Sequence, residues 1–235
     1  MKKSLSRAFR TIDPRNISKK LNDRSIVQSF ADNMRLVFFG HVDQNDEDQK
    51  VVKGVTVSRS HADQYYLIGN YKDYDVVFVE RKDSVLEAHR RRARHTSHRW
   101  HIFQFDLKTP IDHPMIFISN RRHEESYRDL LATKFTNMRA LPVSSAGGHS
   151  AEFAQNYHIL SVPTYFIYTE QLITPEITDT IAKHFGHFAI EIMSNHLIIY
   201  SEGAKLSSGL LKTMLQNGTW LAEKIDARSH ELQTL

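Results

Sequence analysis

The chain holds 235 residues, with 31 Lys and Arg against 27 Asp and Glu, 40% hydrophobic residues and no cysteine. This length suits one large domain or two small ones, and the composition is that of a folded chain rather than a disordered one. Without cysteine there are no disulfides, no thiolate zinc sites and no thiol nucleophile, and apolar runs such as 36–39 and 197–200 fall far short of the roughly 20 residues that a bilayer-spanning helix needs.

The net charge of +4 hides an asymmetry. Residues 1–24 hold eight Lys and Arg against Asp13 and Asp23, and residues 89–101 hold five arginines, four histidines and no acid, so the remainder of the chain is acidic. Two basic segments on an acidic body would steer the molecule toward nucleic acid or an anionic membrane surface. Ser4, Ser6, Arg7 and Arg10 interrupt any apolar run near the N-terminus, which excludes a secretory leader in these residues and makes a cytoplasmic location the expectation.

In chain order, residues 1–24 read as a basic N-terminal arm, because Pro14 disfavours a helix running through Asp13. Leu5, Phe9 and Ile12 share one helical face, which suits docking on the protein's own core or contact with lipid. Residues 25–235 then form a single α+β domain. Ile26, Val27 and Phe30 predict a short helix, and 35–42 a strand. The acidic stretch 43–48 lacks the glycine and glutamate that a calcium loop needs at its sixth and twelfth places, where Asp48 and Gly54 stand.

Strand signals recur at 51–58, 64–71, 75–81, 99–107 and 115–119. Asn70, Lys72 and Asp73 predict a tight hairpin, and Pro110 and Pro114 bracket a last connection. Such short links imply an antiparallel meander. In 99–107, His101, Phe103, Phe105 and Leu107 fall on one face and Trp100, Ile102, Gln104 and Asp106 on the other, with the phenylalanine face the buried one. Ser126 caps a predicted helix carrying Tyr127, Leu130, Leu131 and Phe135. The small-residue stretch 142–150 is the candidate subdivision of the domain.

The back half reads as helix, hairpin, helix. Thr174-Pro175-Glu176 starts a helix with Ile177, Ile181 and Phe185 at four-residue intervals and Gly186 as its stop. Residues 188–193 and 196–200 read as hairpin arms about Ser194-Asn195. A final helix over 207–227 carries Leu210, Leu211, Met214, Leu215, Leu221 and Ile225 as a core stripe.

Phe153, Tyr157-His158-Ile159, Ile173-Thr174-Pro175-Glu176 and Leu197-Ile198-Ile199, with Gly69-Asn70-Tyr71 and Tyr74-Asp75-Val76 upstream, resemble an uncharacterised bacterial domain family over residues 54–201. Members of that family often carry transmembrane helices ahead of a soluble domain. The resemblance implies a mixed α+β domain of bacterial origin and supplies no catalytic residue.

The basic run carries the functional argument. Arg90, Arg91, Arg92, Arg94 and Arg99 suit phosphates, and Trp100, with Tyr127, offers a stacking surface of the kind that single-stranded nucleic acid binders use. The same arginines with the basic arm suit anionic lipid. A solvated loop pairing with the protein's own acids is the plain alternative. His95, His98 and His101 recur every three residues, but on a strand His98 and His101 point to opposite faces, so no metal site is assigned. Ser144, Ser145 and His149 lack a nucleophile elbow, and Gly147-Gly148 lacks the lysine of a phosphate loop. The reading is therefore a non-enzymatic binding or scaffolding domain without a cofactor, facing nucleic acid, an anionic membrane surface or a protein partner. The competing class is a phosphodiesterase-like hydrolase using histidines near the arginines.

Overall fold

A computed structural model describes residues 14–40, 61–89, 92–119, 135–142, 148–186 and 188–234, with 14–17, 61, 84–89 and 92–96 described by their backbone alone. The architecture is α+β: seven strands form one antiparallel sheet, and helices pack on it. In chain order these are α1 (Pro14–Met34), β1 (Val37–Phe38), β2 (His61–Tyr71), β3 (Tyr74–His89), β4 (Arg92–Ser119), β5 (Arg139–Ala140), α2 (Ala151–Asn156), β6 (Tyr157–Ser161), a 3₁₀ turn (Pro163–Tyr165), α3 (Phe166–Leu172), α4 (Pro175–His184), β7 (Ala189–Glu202) and α5 (Ser208–Gln233).

The expected hairpin about Lys72 and Asp73 is present. Both residues have positive φ, +49° and +64°, and Tyr71 pairs with Tyr74. Two left-handed residues match the right-handed twist of the strands that they join. The cap expected at Thr174 is present, and Ser207 caps the last helix in the same way. Thr174 and Ser207 each accept a hydrogen bond from the backbone N–H three residues on, and Pro175 opens α4.

The first basic segment is not wholly an arm. Residues 14–24 belong to the helix α1, which is described from Pro14 to Met34. Arg35 at φ +58° ends α1, so the strand expected over 35–42 is described only as Val37–Phe38. Residues 1–13, the expected strand 51–58, the acidic stretch 43–48 and the body of the helix expected after Ser126 lie outside the described residues.

Strand β4 organises the sheet. It is 28 residues long and joins the runs 99–107 and 115–119, which are therefore one strand rather than two arms of a meander. Along one edge it pairs with β3 and then with β6; along the other it pairs with β7 from Trp100 opposite Glu202 to Phe117 opposite Ile190. The runs 188–193 and 196–200 likewise make one strand instead of a hairpin. The β4–β7 register shifts between Asp106 and Ile111 and again before Met115, and Ser194 opposite Ile111 has φ +57°. Pro110 and Pro114, which lack a ladder donor, fall within those interruptions. The chain bulges where a reversal was expected. The sheet also crosses 142–150, since β5 before it pairs with β6 after it.

A buried carboxylate from α5 completes the bulge. Asp226 accepts hydrogen bonds from Thr109 N at 2.9 Å, Lys108 N at 3.2 Å and Tyr74 Oη at 2.9 Å, serving amides that the shifted ladder leaves free. Burial pushes the Tyr74 phenol up, and the bond to Asp226 adds to that.

Both faces of β4 are buried, not the phenylalanine face alone. Phe103, Phe105, Met115 and Phe117 join the larger core with Val27 and Phe30 of α1, Ile177 and Ile181 of α4, and Leu211, Met214, Leu215, Leu221 and Ile225 of α5. Trp100, Ile102, Ile116 and Ile118 form a second core with Tyr66, Val79, Ile198, Tyr200 and Met138.

Helix α5 crosses β4 so closely that a Cβ added at Gly218 would stand 2.1 Å from Cε2 of the buried Phe105 ring. Glycine is therefore required there despite its poor helix propensity. Replacing Gly218 by alanine is expected to destabilise the fold by about 1–3 kcal/mol through overpacking, whereas a helix-propensity effect alone would stabilise it. Chemical denaturation of the two proteins decides the sign.

Candidate anion-binding site

The residues that form the two cores give way to charged groups toward the end of the β3–β4 ladder that, among the described residues, reaches beyond β2 and β7. On the face toward α1, Val76 and Phe78 of β3 are followed by Glu80 and Lys82, and across the ladder Phe103 of β4 is preceded by His101 and Arg99. Glu80 is fully buried. Its carboxylate accepts hydrogen bonds from Gln64 Nε2 and Arg99 Nη2, and His101 Nε2 stands at 3.6 Å, beyond hydrogen-bond reach but within reach of a charge interaction. Arg99 Nη2 also donates to Asp23 Oδ2 of α1 at 2.7 Å. Asp23, Arg99 and Glu80 thus lace the helix to the sheet.

Burial would raise the Glu80 carboxyl, but His101, Arg99 and Gln64 outweigh it and bring it down to about 2. A carboxyl lowered from 4.5 contributes stability that is present above pH 4.5 and lost as the pH falls toward 2. The size of that contribution is on the order of 3 kcal/mol.

Beside this triad a cleft of about 390 Å³ opens between α1 and the sheet, lined by Lys19, Lys20, Asp23, Gln64, Tyr65, Glu80, Lys82 and Arg99. Its floor is shaped by a β-bulge, for the β2–β3 register shifts between Gln64 and Leu67 and Tyr65 takes φ +61°. A tyrosine in this region stores about 1–3 kcal/mol of strain. Tyr65 is held by its N–H to Gly40 O at 2.6 Å and by its hydroxyl to Lys20 O at 3.2 Å. Burial, with Glu80 and Asp23 adding to it, raises its phenol.

The opposite face of the same strands is also charged and closed. Arg81 binds Asp63 with two parallel hydrogen bonds of 2.7 Å, Tyr66 Oη donates to Asp63 at 3.3 Å, and His98 Nδ1 contacts Glu202 Oε1. Arg81 and Asp83 are each 1% exposed.

The residues singled out from the sequence are therefore dispersed. Arg99 is bound by the protein's own Asp23 and Glu80. Trp100 is 1% exposed, edge-on to Tyr200 at 5.5 Å, and offers no stacking face to a nucleobase. Arg92 and Arg94 lie on β4 opposite His89 and Glu87. Arg90, Arg91, Tyr127, Ser144 and Ser145 lie outside the described residues. His98 and His101 face opposite sides of the sheet, and no group of three metal-binding side chains occurs among the described residues. His149 Nδ1 meets Thr178 Oγ1 at 2.9 Å, a contact on α4 remote from the arginines. The sequence reading passed over Glu80 and Lys82, whose only signal was a cluster of charges of both signs, Glu80-Arg81-Lys82-Asp83, at the end of the strand expected over 75–81, and it counted Lys20 only among the cations of the basic N-terminal arm.

No family model matches this chain, and no curated protein matches it. The fold has a counterpart in a solved structure. The mycobacterial trehalose monomycolate transport factor A, TtfA, is similar with a TM-score of 0.57 over 88% of this chain and 93% of that one. At 6% identity the likeness to TtfA is one of fold alone.

Glu80→Gln is expected to be less stable than the unaltered protein at neutral pH and to flatten the loss of stability between pH 4.5 and 2. Urea unfolding at a series of pH values measures both effects, and parallel curves for the two proteins would remove Glu80 as the source.

Proposed function

We propose that the protein is a non-enzymatic binding domain that faces an anionic membrane surface through its basic sheet end, as a cytoplasmic protein peripheral to the membrane. The observation that carries this reading is the reach of the β3–β4 ladder. The described pairing of β2 with β3 reaches His61 opposite Asp83, and that of β7 with β4 reaches Glu202 opposite Trp100. Residues 84–89 and 92–97 then continue to pair with each other alone among the described residues. Six residues of extended chain span about 20 Å. The segment 84–97 contains four arginines, Arg90, Arg91, Arg92 and Arg94, against Glu87 as its one acid.

A charged ribbon without an aromatic platform favours surfaces recognised by charge over single strands recognised by stacking. Leu21, 64% exposed beside Lys19 and Lys20 on α1, adds an apolar group of the kind that interfacial helices insert below lipid headgroups. No helix among the described residues is long and apolar enough to cross a membrane.

Vesicles of phosphatidylcholine with phosphatidylglycerol should bind the protein with an affinity that falls steeply as salt rises from about 50 to 200 mM. Replacing Arg90, Arg91 and Arg92 together by glutamine should weaken binding roughly a hundred-fold, at about 1 kcal/mol for each charge near the surface. Cosedimentation measures this. Binding that ignores the triple replacement rejects the ribbon, and binding to single-stranded nucleic acid in place of vesicles transfers the ribbon to that partner.

A further inference from the structure

We propose that the cleft between α1 and the bulged β2–β3–β4 end is a binding site for a phosphate group. This rests on the reading above that the same end of the molecule faces anions, and it names a seat and a ligand chemistry within it.

The charges in the cleft do not balance. Lys19, Lys20, Lys82 and Arg99 line it against Asp23 and Glu80, a surplus of two positive charges. Both carboxylates are bound by Arg99 through Nη2, while its buried Nε has no hydrogen-bond partner among the described residues. Lys82, partly buried on β3, makes no hydrogen bond or ion pair among the described residues, although it pairs in register with Arg99. Burial holds its ammonium below the usual lysine range; Lys20 and Arg99 push the same way, and Glu80 and Asp23 oppose them. A partly desolvated cation crowded by two others, whose nearby acids Glu80 and Asp23 are bound to Arg99 and which makes no ion pair of its own among the described residues, is stabilised by an anion from outside the chain.

The donors indicate which anion. A carboxylate is best met by the planar fork of an arginine, and the one arginine lining the cleft is already occupied on Nη2 by two acids. Three lysines remain among the lining residues, Lys19 and Lys20 of α1 and Lys82 of β3, each with a compact ammonium. That arrangement suits a phosphate, whose oxygens point in several directions and whose charge of roughly −1.5 to −2 as a monoester matches the surplus. The space is larger than one phosphate needs, which leaves room for the group that bears it. Tyr65, strained in the left-handed region and tied to the Lys20 carbonyl, fixes the wall that separates α1 from the bulge. Strain of this kind collects where a site is pre-shaped.

The phosphate can come from a lipid headgroup or from a soluble ester, and two probes separate these sources. Inorganic phosphate is titrated into the full ¹⁵N-labelled chain at constant ionic strength, with chloride as the reference anion. Vesicles of phosphatidylcholine with and without phosphatidic acid are then tested by cosedimentation. Binding of inorganic phosphate that moves the amide signals of Lys20, Gln64, Tyr65 and Lys82 supports the site and a soluble source. Binding only of phosphatidic acid vesicles supports the site and a headgroup source, provided that it depends on Lys82. Lys82→Met keeps the aliphatic stem and removes the charge, so the fold should persist, as thermal unfolding will show. It should weaken binding by about ten-fold or more, the usual loss when a charged hydrogen bond is removed, whereas Lys205→Met on the exposed β7–α5 connection should not.

Failure of both probes to bind, or equal binding by Lys82→Met and the unaltered protein, overturns the proposal. The Arg90, Arg91 and Arg92 triple replacement keeps the two readings apart. If it abolishes vesicle binding while Lys82→Met has no effect, the cleft falls and the ribbon stands. If phosphate binding depends on Lys82 and vesicle binding ignores the three arginines, the ribbon falls and the cleft stands.

Discussion

The structure depends on one strand having to satisfy four boundaries at once. β4 carries β3 and β6 along one edge and β7 along the other, and buries side chains on both faces. A strand of 28 residues cannot stay flat under that demand, because sheet twist accumulates along its length. The molecule resolves this with the bulged segment between Asp106 and Met115, and the amides released there are met by Asp226 of α5. The same need draws α5 onto the sheet, which explains why Gly218 lies against Phe105. Bulge, buried carboxylate and helical glycine are three parts of a single solution.

Where the apolar alternation of β3 and β4 runs out, burial continues and the side chains become charged. Isolated, Glu80 and Arg81 would each be costly, since a buried charge is tolerated only with a partner and hydrogen bonds. Each has both, on opposite faces of the sheet. The Asp23–Arg99–Glu80 set also fixes where α1 lies, because apolar contacts along a helix tolerate sliding and a directed ion pair does not. Removing one member would leave an uncompensated charge in the interior, a far larger loss than any surface ion pair gives.

Local signals were legible in the sequence and distant ones were not. The turn at Lys72-Asp73, the cap Thr174 and the apolar stripe of α5 are decided within a few residues, so pattern reading finds them. Ser194-Asn195 misled because a bulge and a tight turn draw on the same small polar residues, and only the strand lying opposite distinguishes them. The fate of Arg99 was out of reach: its partners Asp23 and Glu80 lie 76 and 19 residues away. In the same way the alternation around Trp100 marks two faces but does not say that both are covered. The basic run was conspicuous as composition, while the lysine best placed to meet a ligand, Lys82, sat in a segment of balanced charge.

The placement of β7 has a consequence for how the chain comes to be folded. β3 and β4 can zip together as soon as both have left the ribosome, but seventy residues separate Ser119 from Ala189, so the far edge of β4 emerges long before its mate. During that interval a long row of unpaired amides and carbonyls flanked by phenylalanine and isoleucine is open to any other extended chain. Closure by β7 is therefore the late, long-range step that covers this edge.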